Sequence, residues 1–155
     1  MADVSPETPT TPSTVLVADD NEQNLELLIA YLDGLPGVRI VTARDGAETM
    51  AKIRSENPDL VLLDIMMPKM SGFEVCRKVK ADPQLKSIPI VMVTALNEMG
   101  DIERGVECGT DDFLSKPVNK LELLTRVKSL LRVKHLKNEL ERTLAYLDDT
   151  QAEEK

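Results

Sequence analysis

Four consecutive apolar residues, Leu60-Val61-Leu62-Leu63, run into a single aspartate, Asp64. A strand with one face in water alternates apolar and polar side chains, so a strand that is apolar at every position needs cover on both faces. Two further runs follow the same rule. Val15-Leu16-Val17-Ala18 ends at Asp19-Asp20, and Ile90 to Val93 ends at Thr94. Between them the apolar residues change to helical spacing: Leu25, Leu28, Ile29 and Leu32, then Ala47, Met50 and Ala51. Val38 to Ala43 is β-branched and strand-like, and Asp111 to Leu114 makes a short fifth strand. Ser71 with Glu74 forms a capping box that opens a helix through Val75 and Val79. A helix through Ile102 and Val106 stops at Gly109, and Asn119 with Glu122 caps the last helix. Strands and helices that alternate in this way join by right-handed crossovers. The spacing predicts a three-layer α/β sandwich around a mainly parallel five-stranded sheet.

The remaining composition narrows the class. At 155 residues the chain has room for one ordinary domain, and 42% hydrophobic with 30% charged residues is enough to build its core. Nineteen basic against 27 acidic residues give a net charge of -8, which argues against direct nucleic-acid binding. Cys76 and Cys108 lack metal-ligand spacing and read as reduced core thiols. No apolar run approaches membrane-spanning length, and Asp3 and Glu7 do not fit a secretory signal, so the expected location is cytoplasmic, away from membranes. Residues 1–13, rich in Pro, Thr and Ser, read as a disordered tail, residues 14–132 as the domain, and 133–155 as a helical extension. On that extension Val133, Leu136, Leu140 and Leu147 fit heptad positions, Thr143 breaks the seam, and Leu144 lies beside it. The extension is a dimer helix, a linker to a further domain, or a solvated tail.

In an open parallel sheet, functional groups gather outside the carboxyl ends of the strands. This chain places Asp19, Asp20, Asp64 and Thr94 there, and Lys116-Pro117 follows the fifth strand. Three clustered carboxylates raise each other's pKa unless a cation intervenes, and hard oxygen ligands without His or Cys favour Mg²⁺. One carboxylate can then act as a nucleophile toward a phosphoryl group, with Asp64, on the most buried strand, best placed. Lys116 supplies a fixed positive charge and Thr94 a hydroxyl donor. Taken singly, each residue has a plainer reading: loop start or N-cap for the acidic pair, turn residue for Asp64, helix cap for Thr94, solvated lysine for Lys116. Their joint placement on strand ends favours the site. A GxxxxGK loop is absent, which argues against a nucleoside triphosphatase. A phosphotransferase using aspartyl phosphate would want a second carboxylate two residues after the nucleophile, where this chain has Met66.

Asp19-Asp20, the LVLLDIMMPKMSGFE stretch, Val93-Thr94-Ala95 and Phe113-Leu114-Ser115-Lys116-Pro117 together resemble a response-regulator receiver domain over Thr14 to Arg132. Asp20, Asp64, Thr94 and Lys116 are separated by 44, 30 and 22 residues, as in that family. The resemblance implies a flavodoxin-like fold with strand order 2-1-3-4-5. It implies that Asp64 accepts a phosphoryl group from a phosphohistidine on a sensor histidine kinase or phosphotransfer protein. Mg²⁺ would sit on Asp19, Asp20, Asp64 and the backbone carbonyl of Met66. Thr94, Lys116 and the Ala95 amide would contact the phosphoryl group, and the Lys116-Pro117 bond would be cis. Thr94 and Phe113 would switch the face made by the fourth helix, the fifth strand and the last helix. Phe113, where tyrosine is commoner, keeps the ring without the hydroxyl.

Such a module turns over no metabolite; its output is a docking surface for a downstream effector. The alternative is the N-terminal receiver of a longer effector with a cyclase, phosphodiesterase or phosphatase domain. Met66 and Leu96 flank the path of hydrolytic water and cannot orient it, so self-dephosphorylation is expected to be slow. His135, the only histidine, reads as a solvated surface residue in preference to the alternative, a phosphohistidine.

Overall fold

The computed structural model describes residues 12–95, 103 and 106–154. Five strands form one parallel sheet: β1 (Ser13–Ala18), β2 (Val38–Ala43), β3 (Leu60–Asp64), β4 (Ile90–Thr94) and β5 (Asp112–Ser115), in the order β2-β1-β3-β4-β5. Helices α1 (Glu22–Leu32), α2 (Gly46–Glu56) and α3 (Gly72–Ala81) and a C-terminal helix (Lys120–Glu154) cover it. The expected architecture is therefore present, with its extended last helix. The helix expected through Ile102 and Val106 falls partly outside the described residues. Its end is visible: residues 106–108 are helical, and Gly109 follows at φ +92°, a conformation open to glycine at little cost.

Because side chains alternate across a strand, every central strand feeds two cores. Leu16, Val61, Leu63, Ile90 and Met92 face α2 and α3, where they meet Ile53, Val75, Cys76 and Val79. Val15, Val17, Leu60, Leu62, Val91 and Val93 point the other way, onto Leu25, Leu28 and Leu32 of α1 and Leu123, Val127 and Leu131 of the C-terminal helix. Both cysteines are buried free thiols, and burial pushes the Cys76 thiol up, away from the reactive thiolate.

The helix starts are capped by side chains that accept backbone amides: Asn21 from Asn24, Asp45 from Glu48, Ser71 from Glu74 and Asn119 from Glu122. Asn21, rather than either residue of the acidic pair, caps α1. That leaves Asp19 and Asp20 available at the strand end.

At the opposite pole, two long-range contacts differ from the sequence reading. β1 already includes Ser13, whose amide donates to the Gly37 carbonyl at 2.9 Å and whose hydroxyl lies 2.8 Å from Nε2 of His135. His135 is thus half-buried and tied to β1 rather than freely solvated, because the C-terminal helix passes over the start of that strand. The residue before it, Lys134, reaches the Ser87 hydroxyl at 3.2 Å. A double-mutant cycle of Ser13→Ala and His135→Ala in urea unfolding is expected to give a coupling of about 1 kcal/mol. Additive single effects would show that the contact carries no stability.

Candidate functional site

Register brings the strand ends level. Ala18 pairs with Leu63, Asp64 with Val93, and Thr94 with Ser115, so Asp19, Asp64, Thr94 and Lys116 emerge along one edge of the sheet. The Lys116 amide continues the ladder by donating to the Thr94 carbonyl at 2.8 Å. The Lys116-Pro117 peptide bond is cis.

Asp19 is only 1% exposed, and Asp64 and Thr94 are each 6% exposed; Asp20 stands in solvent. The three carboxylates each offer an oxygen, and these oxygens lie within 4.8 Å of one another. The Lys116 ammonium enters the cluster, 3.2 Å from Asp19 Oδ2 and 3.5 Å from Asp64 Oδ1. The Asn21 amide donates to the other oxygen of Asp19 at 2.9 Å. Burial pushes the Asp64 carboxyl up to about 6, and the Asp19 charge adds to the rise. Lys116 and the Met66 amide pull in the other direction and do not win. A site with a buried carboxylate of raised pKa and a single shared ammonium lacks positive charge. Its carboxylate donors are all hard oxygens with no His or Cys among them, so the residues fit Mg²⁺ better than a softer metal.

Asp19, Asp20, Asp64 and Lys116 lie in this cluster, and Thr94 ends the neighbouring strand on the same edge. Met66 follows Asp64 in the β3–α3 loop with its side chain 66% exposed, and Ala95 follows Thr94 and is exposed. Phe113 is half-buried on β5 against the α3-side core. Leu96 lies outside the described residues.

Two glycines that hold the site in shape were not singled out for that role by the sequence reading. A Cβ on Gly72 would stand 2.4 Å from the Asp64 carbonyl oxygen and 2.9 Å from Ile65 Cα. The first turn of α3 therefore rests directly on the backbone of Asp64, and the Gly72 amide donates to the Ile65 carbonyl at 2.9 Å. A Cβ on Gly46, at the start of α2, would stand 2.1 Å from the Met70 carbonyl oxygen in the same loop. Both glycines have ordinary helical positions, so the only sequence signal was the residue type just after a cap.

A family model for the response regulator receiver domain matches residues 15–128, and the chain belongs to that family. Among relatives, it is 46% identical over 126 residues to the response regulator PleD of Caulobacter vibrioides, an alignment covering 81% of this chain and 28% of that one. It is 41% identical over 118 residues to the alkaline phosphatase synthesis transcriptional regulatory protein PhoP of Bacillus subtilis, covering 76% and 48%. The chain thus spans less than half the length of these relatives. Among solved structures, a response regulator from Chloroflexus aurantiacus superposes with a TM-score of 0.74 at 34% identity, covering 79% of this chain and 99% of that one. The receiver domain of a sensor histidine kinase from Pseudomonas aeruginosa, solved with a magnesium ion in its active-site cleft, gives 0.72 at 26% identity, covering 78% and 98%.

Two outcomes follow for stability. Asp64 has a folded-state pKa of about 6 against an ordinary value of 3.8, so its ionised form costs stability above pH 6 and none below about pH 4. In EDTA, Asp64→Asn is expected to raise the melting temperature at pH 7.5 by on the order of 5 °C, and the gain should vanish as the pH falls below about 4. A gain independent of pH would place its cause elsewhere. Gly72→Ala is expected to cost about 2 kcal/mol in urea unfolding, from overpacking against the Asp64 backbone. An unchanged midpoint would mean that α3 can simply shift.

Proposed function

We propose that this chain is the phospho-acceptor module of a two-component pathway. Asp64 takes a phosphoryl group from a phosphohistidine of a sensor histidine kinase or phosphotransfer protein. The observation that carries this reading is the buried Asp64 carboxylate, packed against Asp19 and within reach of the Lys116 ammonium. In the step, an Asp64 carboxylate oxygen forms a bond to phosphorus, the phosphorus–nitrogen bond breaks, and the imidazole leaves with the electron pair. With a pKa of about 6, Asp64 is mostly ionised at neutral pH and stays more nucleophilic than an ordinary surface carboxylate.

Asp19, Asp20, Asp64 and the Met66 backbone carbonyl would hold Mg²⁺, which supplies charge to a site crowded with carboxylates. Lys116 releases its contacts with Asp19 and Asp64 to meet the phosphoryl oxygens. Thr94 and the Ala95 amide lie next along the edge to receive the remaining ones. Repositioning of Thr94 and inward rotation of Phe113 would carry the change to β5 and the C-terminal helix, where Arg126 pairs with Asp112. That face is the docking surface for the effector. The receiver is a regulatory domain over 14–132, and the helix beyond it is an appended element.

A second reading makes the same receiver the N-terminal part of a longer effector with a cyclase, phosphodiesterase or phosphatase output. The 28% share of PleD that the alignment covers favours it. The gene's full reading frame decides between the two.

Intact-mass measurement after incubation with acetyl phosphate and Mg²⁺ is expected to show one added phosphoryl group on wild type and none on Asp64→Asn or in EDTA. Lys116→Ala is expected to lower the phosphorylation rate by at least about tenfold. Uptake by Asp64→Asn would contradict the assignment.

A further inference from the structure

The C-terminal helix is built from two surfaces that do not belong together. Leu123, Val127 and Leu131 pack on the sheet. Past Leu131, the positions that continue this packed face are polar: Lys134, His135 and Asn138. The apolar residues of the extension lie elsewhere. Val133, Leu136, Leu140, Leu144 and Leu147 are 46–58% exposed. At about 100° per residue they fill one stripe roughly 80° wide, centred about 140° around the helix from the packed face. The stripe points away from the domain that carries it, so that domain cannot cover it.

We propose that a second copy of this chain covers the stripe, with its helix running antiparallel. Charge and seam order select this occupant. Arg132, Lys134 and Lys137 stand at the start of the extension, and Glu139, Glu141 and Asp148 stand further on; Arg142 lies off the stripe, on the far side of the helix. In a parallel, in-register pair, Arg132 of one helix sits beside Lys137 of the other, twice over. Thr143 also stacks on Thr143, and the central layer loses its apolar contact. Turning one helix around removes both faults. With Leu136 of one copy opposite Leu147 of the other, Thr143 packs on Leu140. Lys137 and Asp148, which share one edge of the stripe, then face each other across the pair. The contact is about two heptads long, which is short, so the dimer is reversible and concentration-dependent.

The test uses the whole chain. Sedimentation velocity over a rising concentration series is expected to show wild type shifting from monomer to dimer, while Leu140→Glu, an exposed change, stays monomeric with unchanged helix content. Lys137→Asp should weaken the dimer at least about fivefold, and adding Asp148→Lys should restore it. For orientation, Leu136→Cys and Leu147→Cys chains are oxidised separately and mixed. The native cysteines are buried and serve as the wild-type control. The proposal expects a disulfide-linked dimer mainly in the mixture. A chain that stays monomeric at every concentration would overturn the proposal. So would a dimer indifferent to Leu140→Glu, or efficient self-linking of Leu136→Cys alone.

Discussion

Two carboxylates that solvent barely reaches, Asp19 and Asp64, share one lysine. Buried like charges repel, and a buried charge without a partner is driven to neutralise. Lys116 meets this demand only in part: it lies within 3.5 Å of both, and the Asp64 carboxyl is still pushed up to about 6. The site is therefore held in a state that gains from added positive charge and, after that, from a ligand able to occupy the lysine. A divalent cation would meet the first need and a phosphoryl group the second. The arrangement sits at strand ends, where the parallel sheet fixes the backbone that carries these side chains.

The fold pays for this placement through its backbone. Strands apolar on both faces bury β3 and β4 along their whole length, down to their last residues, Asp64 and Thr94. Asn21 takes over the capping of α1, which frees the acidic pair. Gly72 lets α3 begin directly against the Asp64 carbonyl, and Gly46 lets α2 begin against Met70, so the β3–α3 loop that carries Met66 is clamped from two sides. A side chain at either glycine would meet a backbone carbonyl oxygen at 2.4 Å or less, so the helix or the loop would have to shift.

Much of this was readable from residue order. The runs that end at Asp19, Asp64 and Thr94, the caps at Ser71 and Asn119, and the spacing to Lys116 are sequence patterns. The runs and caps carry their meaning within a few positions of chain, and the spacing to Lys116 is read along the chain without knowledge of the fold. The site followed because a parallel sheet collects strand ends on one edge. What stayed hidden depends on chain segments far apart. Ser13 and His135 are 122 positions apart and meet only because the last helix crosses the start of β1. The close approaches at Gly46 and Gly72 depend on how tightly α2 and α3 dock on one loop. The exposed stripe from Val133 to Leu147 was visible as a heptad, but its direction was not. Only the packed face at Leu123, Val127 and Leu131 shows that the stripe points outward.

The central claim is that Asp64 and no neighbouring carboxylate carries the phosphoryl group. The direct measurement is to phosphorylate the chain, reduce it with borohydride, which turns an aspartyl phosphate into homoserine, and locate that residue by peptide sequencing in a mass spectrometer. Homoserine at position 64 alone is the result expected. Homoserine at position 19 or 20, or a phosphoryl group lost with acid-labile behaviour from His135, would contradict the account.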